Sequence, residues 1–283
     1  HRSHPYPHAL MADDFHTDGI DFRILGDDLQ LVEVELDPGE GVRAEAGTMC
    51  YMGDGIRMQT DTGGGLFKGF KRMVTGESFF ITTFAHEGTG KGHVAFAAPY
   101  PGKIVPLDLG RHGGAFLCQK DAFLCADQRV EIEVAFSKRL GAGFFGGEGF
   151  IMQRLDGDGL VFIHAGGCVS ERVLEPGEVL HVDTGCVVGF EQQVGFDLEQ
   201  VGGIKSSLFG GEGVFFAVLT GPGRVWLQSL PFSRMAGRML AAAPQRGGSQ
   251  GEGSVLGVAT GDLIAVYDAE DAPHAGQLRA AAE

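Results

Sequence analysis

From Phe22 onward, short apolar runs alternate with Gly, Asp and Pro: Leu29 to Leu36, Met49 to Met52, Ser78 to Phe84, His93 to Phe96 and Lys103 to Asp108. Runs of this length, rich in β-branched and aromatic side chains and bounded by turn residues, predict strands, and their number predicts an all-β protein. Four Pro-Gly pairs punctuate them: Pro38-Gly39, Pro101-Gly102, Pro176-Gly177 and Pro222-Gly223. Proline presets the first turn residue and glycine supplies the positive φ of the second. After Pro231-Phe232-Ser233 the period changes. Met235, Met239 and Leu240 fall at helical spacing in an Ala-rich stretch, which predicts one short C-terminal helix from Arg234 to Ala243.

The strand pattern repeats. Gly147-Glu148-Gly149-Phe150 returns as Gly211-Glu212-Gly213-Val214 and, more loosely, as Gly76-Glu77-Ser78-Phe79, at intervals of 71 and 64 residues. In each copy a Gly-rich approach leads into two apolar runs separated by a turn, at Gly88 to Gly92, Asp156 to Gly159 and Gly221 to Gly223. We read each copy as a β-hairpin. Upstream segments Ala46 to Met52, Ala115 to Cys125 and Val179 to Phe190 occupy equivalent positions before the three hairpins. The expected architecture is three internally repeated β units in a pseudo-threefold arrangement, over about 22–112, 113–175 and 176–243 of a single domain. Residues 1–21 read as a flexible or cloning-derived leader, and 244–283 as a linker and acidic tail. Within the tail, Val255 to Ala259 and Leu263 to Tyr267 offer a last pair of strands as an alternative.

Composition narrows the functional classes. With 43% apolar residues among 283 there is ample material for a core, and the 47 glycines follow no Gly-X-Y period, so they mark turns and close strand approaches. A formal charge of −15 opposes binding to nucleic acid, which depends on Lys and Arg neutralising phosphates. No stretch approaches the roughly 20 apolar residues of a membrane helix, and no basic-then-apolar signal opens the chain. A cytoplasmic location is the expectation. The five cysteines, Cys50, Cys118, Cys125, Cys168 and Cys186, form no CxxC and read as reduced, mostly buried thiols.

Catalytic patterns are missing from the sequence. His86, His93, His112, His164 and His181 make no His-x-His pair with a following Glu, so neither a metal nor another cofactor is expected. Ser78, Ser170, Ser206 and Ser207 sit in no Gly-x-Ser-x-Gly elbow. Two other sets recur with the repeat. Glu77, Glu148 and Glu212 stand at equivalent places, either as carboxylates aimed at a common repeat axis or as turn residues bonding local backbone N–H groups. Lys68, Lys71 and Arg72, then Lys138 and Arg139, then Lys205, precede the three hairpins among Gly, Phe and Leu. They form a candidate anion or partner surface if the Phe residues are exposed, and an ordinary solvated rim if the Phe residues fold inward.

The run Gly47-Thr48-Met49-Cys50-Tyr51-Met52, the core Thr75-Gly76-Glu77-Ser78-Phe79-Phe80, Pro101-Gly102-Lys103-Ile104 and the ending Gln228-Ser229-Leu230-Pro231-Phe232 resemble the altered-inheritance-of-mitochondria 24 family, bacterial members included. The resemblance covers most of Phe22 to Arg238. It implies a double-stranded β-helix type of sandwich, similar to the tryptophan RNA-binding attenuation protein, and no catalytic residues. Fungal relatives are mitochondrial, but the chain has no Arg- and Ser-rich presequence, so that location is not carried over.

These readings combine into a non-enzymatic scaffold or binding protein, contacting an anionic or membrane surface or an acidic partner. The alternative is a small-molecule or ion-binding module with its site between the repeats. Edge strands that must be covered point to a homo-oligomer.

Overall fold

The computed structural model describes residues 20–61, 81–138, 150–201 and 214–242. An opening strand, β1 (Asp21–Leu25), precedes three sets of six. The first set is β2 (Leu31–Leu36), β3 (Gly41–Glu45), β4 (Met49–Met52), β5 (Ile56–Asp61), β6 (Ile81–His86) and β7 (Gly92–Ala97). The second is β8 (Gly102–Asp108), β9 (Ala115–Gln119), β10 (Phe123–Asp127), β11 (Glu131–Lys138), β12 (Phe150–Asp156) and β13 (Leu160–Gly166). The third is β14 (Val169–Leu174), β15 (Val179–Asp183), β16 (Val187–Glu191), β17 (Gly195–Val201), β18 (Val214–Thr220) and β19 (Gly223–Gln228). The helix α1 (Phe232–Ala242) follows, close to its expected span.

Four antiparallel sheets result. Sheet I has the order β1-β2-β7-β4, sheet II β5-β6-β3-β10-β13-β8, sheet III β11-β12-β9-β16-β19-β14 and sheet IV β15-β18-β17. Each six-stranded unit therefore splits in the same way between two sheets. Its first, sixth and third strands form one three-stranded half, and its fourth, fifth and second form the other. Neighbouring units join where a third strand pairs with the previous unit's second strand, at β10–β3 and β16–β9. Even the irregularities recur. The third strands carry a register shift at Met49/Tyr51, Phe123/Cys125 and Val187/Gly189, so these pairs are equivalent.

Three cores lie between successive sheets. Val34, Phe96, Phe84 and Phe162 belong to the core of sheets I and II; Phe116, Val161, Ile163 and Trp226 to that of II and III; Phe150, Phe190, Ala217 and Leu219 to that of III and IV. Because sheet II is covered on both sides, every residue of β13 is buried and its apolar pattern runs without alternation. The edge-to-face contact of Phe22 with Phe162 (4.8 Å) ties sheet I to sheet II, and that of Phe116 with Trp226 (5.2 Å) packs neighbours within sheet III.

The Pro-Gly signals act as expected where the first strand of a unit turns into the second. In Asp37-Pro38-Gly39-Glu40 the Glu40 N–H donates to Asp37 O (3.0 Å), and in Glu175-Pro176-Gly177-Glu178 the Glu178 N–H donates to Glu175 O (2.9 Å). Gly39 and Gly177 supply the positive φ, +91° and +79°.

Two sequence expectations change. The runs read as hairpins are not paired: β6 pairs with β5 and β3, while β7 pairs with β2 and β4. The turn at 88–92 is a corner between two sheets, and the same holds between β12 and β13 and between β18 and β19. The pairs joined through the Gly-rich connections are β5–β6, β11–β12 and β17–β18. Counted by topology, the second and third units open with β8 and β14, so divisions at 113 and 176 cut the same cycle one strand later.

Candidate functional site

All four residues of β4 are exposed, although the strand reads Met-Cys-Tyr-Met. Their counterparts in β10 and β16 are buried: Met49 is 36% and Tyr51 41% exposed, against 2% for Phe123 and 0% for Cys125 and Val187. The difference is a missing neighbour. Strand β10 is covered by β3 and β16 by β9, whereas β4 ends sheet I among the described residues. The second-type strand β15 likewise ends sheet IV, and its Val179 is 50% exposed. Other strands also form edges, including β5, β11 and β17, but these are edges in every unit. Among the described residues, only β4 and β15 lack a partner that their equivalents have.

The backbone of both strands addresses the open side. Gly53 N–H donates to His93 O (2.8 Å), so Tyr51 also points its backbone groups toward β7, and Met52 points its own outward by the alternation of an antiparallel ladder. On β15, Glu178 O accepts from Gly221 N–H (2.9 Å), which leaves Val179 and His181 facing outward.

A polar row holds β4 in place on the outer face of sheet I. Register sets Arg23 beside Glu33, Glu33 beside Ala95 and Ala95 beside Tyr51. The small Ala95 stands where the other units have Phe162 and Trp226. Tyr51 lies across it and donates its hydroxyl to Glu33 Oε2. Arg23 Nε donates to Glu33 Oε1 (2.7 Å), and His93 Nδ1 lies 3.8 Å from the same oxygen. The Tyr51 hydrogen bond holds the Glu33 carboxyl below its ordinary range, against the opposing effect of burial and with help from Arg23. The same bond raises the Tyr51 phenol.

The β15 edge is fixed from its C-terminal end. Asp183 caps the 3-10 turn Thr184–Cys186 by accepting from Gly185 N–H (2.9 Å), and Arg234 of α1 approaches Asp183 at 3.5 Å. His181 faces Glu199 at 3.7 Å.

The two internal joints carry a clamp besides their ladder. Gln128 Nε2 donates to Gly39 O (3.2 Å), and Gln192 Nε2 donates to Gly113 O (2.9 Å). In both cases a glutamine in the turn after the third strand reaches the previous unit, two residues before that unit's second strand. The turn recurs after β4, where Ile56 N–H donates to Gly53 O (3.4 Å), as Val130 does to Asp127 and Val194 to Glu191 (3.0 Å each). The residue at the clamp position there is Asp54, which has no donor.

The pattern of the family described as "Mitochondrial biogenesis AIM24" matches residues 22–230. The chain belongs to this family. The AIM24 match spans the three units and ends just before α1. An uncharacterised protein of Streptococcus pyogenes serotype M6 is 30% identical over 223 residues, covering 76% of this chain and 87% of its own length. A crystal structure of a Streptococcus pyogenes protein superposes with a TM-score of 0.65 at 28% identity, covering 79% of this chain and all of the other. Neither comparison assigns an activity to the AIM24 fold.

The residues singled out from the sequence fall largely outside the described part of this AIM24 chain: Lys68, Lys71, Arg72, Arg139 and Lys205, and all three glutamates, Glu77, Glu148 and Glu212. Lys138 is the last residue of β11, opposite Phe150. Among the described residues, no group of three His, Cys, Asp or Glu is placed to hold a metal ion, and no helix is long and apolar enough to cross a membrane. The expectation of mostly buried thiols is corrected: Cys118 and Cys125 are buried, which raises their thiols, whereas Cys50 and Cys168 are exposed and Cys186 is half-buried. Burial also pushes His164 down to about 4. Both ring nitrogens of His164 lack a hydrogen-bond partner, and Tyr100 packs edge-on against the ring at 4.4 Å. At the equivalent place in the next unit, Gln228 is satisfied: it accepts from Gly166 N–H and donates to Gly185 O, both at 2.8 Å. What the sequence reading missed is the β4 edge. Aligning Met49 to Met52 with Phe123 to Ala126 shows equal apolar content, but no local signal shows which copy has a neighbour.

Proposed function

We propose that this AIM24-family chain is a non-enzymatic scaffold that works by adding an extended strand at the β4 and β15 edges. The observation that supports this reading is the contrast in burial: equivalent third strands are covered at two joints, and the same positions in β4 are exposed and apolar. Main-chain groups of an open edge supply affinity to any incoming strand, and flanking side chains supply selectivity. Unblunted edges of this kind also invite aggregation unless a partner takes them.

Photo-crosslinking tests the reading. A benzophenone amino acid at Met49 is expected to capture a polypeptide in the cells that make the protein, and Met52→Pro, which removes the outward N–H, is expected to abolish the capture. The same probe at Met58, an exposed residue on the ordinary edge strand β5, is the control. Equal capture from Met58, or none from Met49, refutes the proposal.

A further inference from the structure

We propose that the strand taken up by β4 is β15 of a second copy of this chain, an inference that rests on the strand-addition reading above. Sheets I and IV are the two halves of a sheet that a single copy leaves divided. Set side by side, β17-β18-β15 and β4-β7-β2 reproduce the order of sheet II (β5-β6-β3, β10-β13-β8) and of sheet III (β11-β12-β9, β16-β19-β14) strand for strand, with β1 as an addition at the far edge. Among the described residues of one copy, cores join sheet I to II, II to III and III to IV, and none joins IV to I. Among the described residues β4 and β15 pair neither with each other nor with any further strand, which leaves both edges for a second copy.

The register follows from the internal joints. Cys125 pairs with Ala44 at the first joint and Gly189 with Cys118 at the second. The equivalent of Cys125 and Gly189 in β4 is Tyr51, because all three follow the same register shift. The equivalent of Cys118 in β15 is Val182, because each lies two residues before a 3-10 turn, Lys120–Ala122 and Thr184–Cys186. The joint between copies thus sets Tyr51 opposite Val182, Met52 opposite His181 and Gly53 opposite Leu180. The backbone groups of both Met52 and His181 already face outward, so these two form a hydrogen-bonded pair, as Ala126 and Arg43 do inside the chain. Strand β4 carries no charge and offers no like-charge conflict to His181 or Asp183.

One difference sets the strength of the joint. Gly177 is equivalent to Gly39 and Gly113, whose carbonyls accept from Gln128 and Gln192. The residue of the second copy facing Gly177 O is Asp54, so this joint lacks the clamp and forms as a reversible association. Asp54→Gln restores a donor and is expected to tighten self-association about fivefold, the worth of one net hydrogen bond. Because the contact is between two different surfaces, it propagates until a ring closes or a filament grows.

Light scattering on the full chain and its variants decides the matter. The wild type is expected above its 30.0 kDa monomer mass at tens of micromolar. Met52→Pro and His181→Pro are each expected to be monomeric alone and to form a one-to-one dimer when mixed, since each retains the edge the other lacks. A monomeric wild type overturns the inference, and so does self-association of His181→Pro alone, which signifies β4 pairing with β4. Should proline disturb folding, a disulfide trap replaces it. With Cys50 and Cys168 changed to Ser, Met52→Cys with His181→Cys is expected to cross-link between copies, and Met52→Cys with Val179→Cys is not; the reverse preference overturns the register. If Met49 captures a different polypeptide while the wild type stays monomeric, strand addition stands and the second copy as partner falls.

Discussion

Acidification tests the interior at His164. The side chain is 1% exposed, and burial, opposed in part by the backbone of Tyr100, pushes its pKa down to about 4. In the unfolded chain the same imidazole titrates near ~6.5. As the pH falls through that value the unfolded state takes up a proton that the folded state refuses until about 4. The unfolded state binds more protons across this window, so stability is full above it and declines as the pH falls. A gap of about 2.5 units at about 1.4 kcal/mol per unit amounts to about 3 kcal/mol lost by about pH 4. His164→Leu removes the titrating group and also two unpartnered buried nitrogens, and is expected to match or exceed the wild type at neutral pH. Guanidinium unfolding of both proteins at about pH 7 and about pH 4 measures the difference. If the variant loses as much stability on acidification as the wild type, the assignment of the acid sensitivity to His164 is refuted.

Tyr51→Phe removes the hydroxyl that Glu33 accepts from, and is expected to cost about 1 kcal/mol and to let the Glu33 carboxyl rise toward its ordinary range, read by carbon NMR titration of Glu33. Phe162→Ala empties a fully buried site that contacts Phe22 between sheets I and II, and is expected to cost about 3–5 kcal/mol by denaturant unfolding; a loss under about 1 kcal/mol contradicts the core assignment. At Gly39 and Gly177 an added Cβ meets nothing within 4 Å, yet φ is +91° and +79°. Alanine at either position is expected to cost about 1 kcal/mol through backbone strain alone, with no change in β4 cross-linking at Gly39.

Much of the architecture was legible from local chemistry. Pro38-Gly39 and Pro176-Gly177 are true turns because their geometry is set within four residues, and α1 announced itself through the spacing of Met235, Met239 and Leu240. The threefold recurrence also holds, because repeated units keep turn chemistry even where side chains diverge. Strand pairing was not legible. The turn between β6 and β7 has the composition of a hairpin turn, but whether two flanking strands pair or part to different sheets depends on β2, β3 and β4, which are distant in sequence. The candidate site was hidden for a related reason. Met49 to Met52 is as apolar as Phe123 to Ala126, and its exposure comes from the absence of a neighbouring unit, a property of the end of a series that no residue in β4 encodes.

The exposed edge is most directly tested by amide hydrogen exchange followed residue by residue as the protein is diluted. Ala126 and Phe190, at the internal joints, are expected to exchange slowly at every concentration. The Met52 and His181 amides are expected to exchange slowly when the protein is concentrated and rapidly when it is dilute, because only a second copy covers them. Rapid exchange of Met52 and His181 at every concentration, with Ala126 and Phe190 protected, would contradict the account.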